Sequence, residues 1–92
     1  MKLYWKHCPE EVQWFEQFMD RYREVEFFQP APEVAPWHVQ ARLDNGVLIN
    51  FWPHVVKAMI ENDPPVRKGI AAIDILMHEA RTIVDFEVIE DG

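Results

Sequence analysis

The chain has no serine, and Thr82 is its only threonine. A Ser-His-Asp arrangement is therefore excluded, and hydroxyl-nucleophile chemistry nearly so. Cys8 is the one cysteine, so no intrachain disulfide can form. A small chain without disulfides suits a reducing compartment, and the expected location is the cytoplasm. With only Gly46, Gly69 and Gly92 there is no glycine-rich phosphate loop. No stretch approaches the ~18 apolar residues of a transmembrane helix, and Met1 to Pro9 holds no apolar run of signal-peptide length. Basic residues are scarce, nine against sixteen acidic, for a net charge of −7. Binding to DNA or RNA without sequence preference needs clustered Lys and Arg, as does an anionic membrane surface. The balance thus predicts neither direct nucleic-acid contact nor membrane contact. It suits an acidic protein steered toward a basic partner.

Metal sites need ligands at short repeated spacings, but His7, His38, His54 and His78 stand singly. His78-Glu79 has Thr82 where a zinc-protease helix would carry its second histidine. Asp44-Asn45-Gly46 lacks the later ligands of a calcium loop and reads as a turn. The acidic pairs, such as Glu10-Glu11 and Glu61-Asp63, show no apolar setting that would split their protonation. No catalytic, cofactor-binding or metal-binding residue is assigned, and no enzyme activity is expected.

What is present is a strong hairpin signal. Trp37, Val39, Ala41 and Leu43 are apolar, with His38, Gln40 and Arg42 between them. After Asp44-Asn45-Gly46 the alternation resumes at Val47, Ile49 and Phe51, until Pro53 stops it. Period-two alternation about an Asn-Gly turn, where both residues tolerate positive φ, is a β-hairpin with one buried face. Leu48, Asn50 and Trp52 then point the other way.

Around the hairpin, Cys8-Pro9-Glu10-Glu11 reads as a helix start. Val12, Phe15, Phe18, Met19 and Tyr22 follow at helical spacing, with Glu16, Asp20 and Glu24 lined up on the opposite side. Lys2 to Lys6 reads as a short strand, and Val25 to Gln29 as a short strand or a helix end. Pro30, Pro32 and Pro36 make a semi-rigid connection. His54 to Asp63 fits a third strand or a short helix, ended by Asp63-Pro64-Pro65. Ile70, Ile73, Leu76, Met77 and Ala80 form a second helical stripe behind Gly69, a residue type that often marks close backbone approach. Val84, Phe86 and Val88 alternate with Asp85 and Glu87 as a last strand. The 92 residues make a single domain spanning 1–92. The predicted class is α+β: a small antiparallel sheet built on the 37–53 hairpin, two helices on one face, in the order α-β-β-(β)-α-β.

The run Leu43 to Pro53, ending in Phe51-Trp52-Pro53, then Lys57 and a helix opened by Gly69 with Ile70, Ile73 and Leu76, resembles short phage and prophage proteins. These carry an aromatic-Trp-Pro motif between strands and a glycine-led helix downstream. They often have a Ser/Thr-Gly-Lys turn after the proline, where this chain has His54-Val55-Val56-Lys57. The family implies no settled biochemical function. In size and charge the chain is also similar to phage anti-defence proteins, including anti-CRISPR proteins, which block host nucleoprotein complexes by binding.

The expectation is a non-enzymatic, phage-derived inhibitor that binds a basic, nucleic-acid-handling host complex in the host cytoplasm. Its partner-binding candidates are Glu16, Asp20, Glu24, Asp85 and Glu87 by charge, and Leu48 and Trp52 as exposed apolar anchors. Two competing expectations are a structural homodimer, paired at a sheet edge or the Trp52 face, and a small-ligand domain lined by Trp37, His38 and His54.

Overall fold

The alternation about Asn45-Gly46 folds as a hairpin of β2 (Val39–Arg42) and β3 (Leu48–Trp52) in the computed structural model, which describes residues 10–83. Arg42 pairs with Leu48, and Val39 with Phe51. The turn is wider than a two-residue Asn-Gly connection. Gly46 N–H donates to the Leu43 carbonyl at 3.0 Å, and Leu43 N–H to the Val47 carbonyl at 3.0 Å. Only Gly46, at φ 89°, takes a left-handed conformation. This is a three-residue hairpin loop, in which glycine makes the left-handed step alone. Asn45 is thereby released for another role.

Three further strands extend the hairpin. β1 (Glu26–Phe28) pairs antiparallel with β2, β4 (Lys57–Ile60) with β3, and β5 (Asp63–Lys68) with β4, giving the sheet order β1-β2-β3-β4-β5. The strand reading of 54–63 thus holds from Lys57, after a 3-10 turn over Pro53–Val55. Asp63-Pro64-Pro65 does not end the sheet; it opens the edge strand, where a missing N–H can face solvent.

α1 (Gln13–Arg21), preceded by a 3-10 turn at Glu10–Val12, and α2 (Ile70–Arg81) cover one face of the sheet. The α1 stripe buries Val12, Phe15, Phe18 and Tyr22, as its spacing predicts. Phe15 and Phe18 pack on Phe27 of β1 and Phe51 of β3, with ring centroids 5.2–6.4 Å apart. Aromatic pairs at such distances add about 0.5–1.5 kcal/mol each beyond area burial. α2 buries Ile73, Leu76, Met77 and Ala80, whereas Ile70, at its first turn, is exposed. Gly69 opens α2 at φ 98°, with nothing within 4 Å of a Cβ placed on it. Its requirement is the backbone angle, not the close approach expected from sequence.

The helices are tied together by polar contacts. Arg21 and the Tyr22 hydroxyl both donate to Asp74. The observed class is α+β, with two helices on one face of the antiparallel sheet. The expected strands at Lys2–Lys6 and Val84–Val88, and the helix start at Cys8-Pro9, lie outside the described residues.

Candidate functional site

Helices cover the face that carries Phe27, Val39, Ala41, Ile49, Phe51, Ala58 and Ile60, all buried. The register puts the intervening residues on the opposite face, which no described element covers. They fall into three rows across the strands: Glu26, Arg42 and Leu48; then Phe28, Gln40, Asn50 and Met59; then Trp52, Lys57 and Lys68. Leu48, Trp52, Phe28 and Met59 are half-buried. Both apolar candidates thus lie on the face opposite the helices, as the hairpin alternation requires.

At its centre Asn50 is buried and fully engaged. Its Oδ1 accepts from Gln40 Nε2 at 2.9 Å and lies 2.7 Å from His38 Nε2, while its Nδ2 donates to Glu61 at 2.7 Å. A carboxylate can only accept, so Nδ2 must face Glu61 and Oδ1 must face His38. His38 Nε2 is therefore the donor in its contact with Asn50. The His38 ring stacks on Trp52 at 5.4 Å and 10°, and Trp37 stacks on His54 at 5.2 Å and 25°. The His38–Trp52 stack stands at the Trp52 end of this face. Sequence reasoning placed Trp37, His38 and His54 together but missed Asn50 and Glu61, because cross-strand polar contacts depend on register.

The Phe51-Trp52-Pro53 motif is the joint between the two sides of the sheet. Phe51 enters the core, Trp52 lies on the uncovered face, and buried Pro53 turns the chain. Trp14 Nε1 of α1 donates to the Pro53 carbonyl at 3.1 Å, fixing the turn from the helix side. Val56 follows at φ 54°, a left-handed angle that β-branched residues rarely take. Its carbonyl accepts from Gly69 N–H at 2.9 Å, joining this turn to the start of α2.

The acidic candidates are not gathered on the same surface. Glu16 and Asp20 are exposed on α1, on the far side of the sheet from Trp52 and Leu48. Glu24 lies beyond the helix end at Arg21, so the expected three-residue acidic stripe on the helix stops at Asp20. Glu24 pairs with Arg81 instead. Tyr22, the C-cap, leaves helical geometry at φ −121° and ψ 54°, with its ring beside Phe18 and under Arg81. Asp85 and Glu87 lie outside the described residues. Acids are answered locally by arginine: Arg21–Asp74, Arg42–Glu26, Arg67–Glu79 and Arg81–Glu24.

Burial, and then the neighbouring Asp74 carboxylate, raises the Tyr22 phenol above its ordinary value near 10. Thr82 Oγ1 donates to the Glu79 carbonyl in the last turn of α2. Among the described residues no group of three His, Cys, Asp or Glu side chains could hold a metal ion. Nor is any helix there long and apolar enough to cross a membrane. A cavity of about 260 Å³ opens beside Glu24, Val25, Leu43, Asp44, Asn45 and Arg81, away from the uncovered face. No family model matches the chain, and no curated protein or solved structure matches it.

Proposed function

We propose that this protein is a non-enzymatic binding module, a phage-type inhibitor that docks on a basic, nucleic-acid-handling host complex in the host cytoplasm. The observation that carries this reading is the sheet face opposite the helices, on which Leu48 and Trp52 are half-buried around a satisfied polar centre at Asn50. Large aromatic and aliphatic side chains around a hydrogen-bonded polar cluster are the composition of an interface. In this proposal Trp52 and Leu48 anchor the contact. Glu16 and Asp20, on the other side, add to the negative field that draws the chain toward positive charge.

Against a homodimer paired at the β5 edge, that strand carries Pro64 and Pro65, which lack the N–H groups that edge-to-edge pairing needs.

The test is affinity capture from a bacterial lysate by the immobilised chain, alongside Trp52→Ala and Asp20→Lys variants, with light scattering on each sample. The expected result is capture of a nucleic-acid-handling complex by a monomer. Trp52→Ala should abolish it, Asp20→Lys should weaken it, and salt should release it, because exposed charges are screened within about 8 Å at physiological ionic strength. Capture indifferent to Trp52 and to salt would overturn the proposal.

A further inference from the structure

The cavity of about 260 Å³ lies between the α1–β1 connection, the β2–β3 loop and the end of α2. It is far larger than the ~30 Å³ share of one water and smaller than the ~300–1,000 Å³ of sites for drug-sized ligands, so its scale is that of one side chain. Its floor is apolar, made by Val25 and Leu43, which are 8% and 6% exposed. Its rim is polar, and what the rim still offers is acceptors. The charge of Arg81 is already answered, since it donates to Glu24 and lies over the Tyr22 ring at 5.0 Å. Asn45 Nδ2 gives its hydrogens to the Ala80 and Ile83 carbonyls. Its Oδ1 accepts from Val47 N–H and has a second lone pair. Asp44 is exposed and, among the described residues, in no ion pair. Two carboxylates, Glu24 and Asp44, thus stand against the one guanidinium of Arg81. The C-terminal end of α2 adds partial negative charge beside them.

We propose that this cavity receives an arginine side chain of the basic partner, with its methylenes on Val25 and Leu43 and its guanidinium at Asp44 and Glu24. The inference deepens the reading of the partner as basic and rests on it for the source of the side chain. Charge complementarity selects a cation, because an anion would meet the unpaired Asp44 and the helix end. The apolar floor selects a long stem, which arginine buries while its charged head stays at the wet rim. The planar fork of a guanidinium matches a carboxylate in two parallel bonds, which the compact ammonium of lysine does not.

An NMR titration of the isotope-labelled full chain with an end-capped Gly-Arg-Gly peptide tests this, beside the same peptide carrying lysine or citrulline in place of arginine. Citrulline keeps the shape of arginine without its charge. Expected are saturable shifts gathered at the amides of Val25, Leu43, Asp44, Asn45 and Arg81, weaker binding of the lysine peptide and none of the citrulline peptide. Asp44→Asn should weaken arginine binding about fivefold, the upper range for an exposed ion pair. Glu24→Gln, which leaves the Arg81 charge unanswered, should abolish it. Both positions are exposed, so circular dichroism should stay unchanged in each variant. No binding of the arginine peptide, shifts gathered elsewhere, equal binding of lysine or citrulline, or binding unmoved by both variants would overturn the inference. A failed titration, with lysate capture still dependent on Trp52 and salt, overturns this inference alone and leaves the docking surface standing. Capture that ignores Trp52 and salt overturns the docking reading, and with it the partner as the source of the arginine.

Discussion

Removing the Asn45 side chain should cost about 2 kcal/mol of folding stability, although Asn45 is a surface turn residue. Its Nδ2 donates to the carbonyls of Ala80 and Ile83 at 3.0 and 2.9 Å, closing the C-terminal end of α2. Its Oδ1 accepts from Val47 N–H at 3.1 Å, holding the hairpin loop. Three such bonds are each worth about 0.5–1.5 kcal/mol net, and partial exposure keeps the sum near the lower half of that range. Asn45 has no positive φ, so alanine fits the backbone without strain and the loss reports the hydrogen bonds. For a domain of this size the change lowers Tm by about 10 °C. Asn45→Asp should cost more than Asn45→Ala at pH 7, since a carboxylate would face carbonyl oxygens at the negative end of a helix dipole. The charged form is then disfavoured in the folded state, so the introduced carboxyl has a raised folded pKa. Its excess cost shrinks as pH falls toward the unfolded carboxylate value near 4. Urea unfolding of the three proteins at pH 7 and pH 4 measures all of this. If Asn45→Ala lies within about 0.5 kcal/mol of the parent, and Asn45→Asp matches it at both pH values, the turn does not hold the helix and the reasoning fails.

Phe18→Ala removes a fully buried ring that meets Phe15, Tyr22, Phe27 and Phe51. It should cost about 3–5 kcal/mol in urea unfolding. Tyr22 keeps its proton in the folded chain, through burial and Asp74, at a pH where the unfolded chain releases it. Its stabilising contribution is complete below the unfolded value near 10 and is lost as pH rises through the higher folded value. Thermal scans should therefore show a fall in Tm above pH 10 that Tyr22→Phe reduces; an unchanged fall would refute the assignment. Val56→Gly relieves a left-handed valine worth about 1–2 kcal/mol but gives up half-buried apolar surface and adds unfolded-state entropy. Equilibrium unfolding should show a change under about 1 kcal/mol in either direction, where truncating a half-buried valine of ordinary φ would cost clearly more.

The two helical stripes and the hairpin were legible because each is a local repeat. Phe15, Phe18 and Tyr22 recur at helical spacing, Ile49 and Phe51 at a spacing of two, and periodicity selects the buried side before any partner is known. β5 was not legible. Pro64-Pro65 reads as a stop in any central strand, and only its place at the sheet edge makes it tolerable. Leu48 and Trp52 could be assigned to the second face from alternation alone, yet the polar centre could not. His38, Asn50 and Glu61 lie on three separate segments, and their meeting follows from the register of β2, β3 and β4. The acidic stripe was over-read for a related reason: Glu24 belongs to it only if the helix continues past Arg21, and Tyr22 takes a non-helical backbone there.

Composition, period and turn residues determined by themselves that this chain would make a small sheet with helices on one side, because burying apolar repeats has few solutions at this length. Tertiary structure alone decided where the charges would stand. It drew arginines to the acids at the helix ends and edges, left two lysines side by side beside Trp52, and placed the acids of α1 behind the sheet from them. Charge carries no periodicity that ties it to a fold, so its distribution is set only when strands and helices are brought into register.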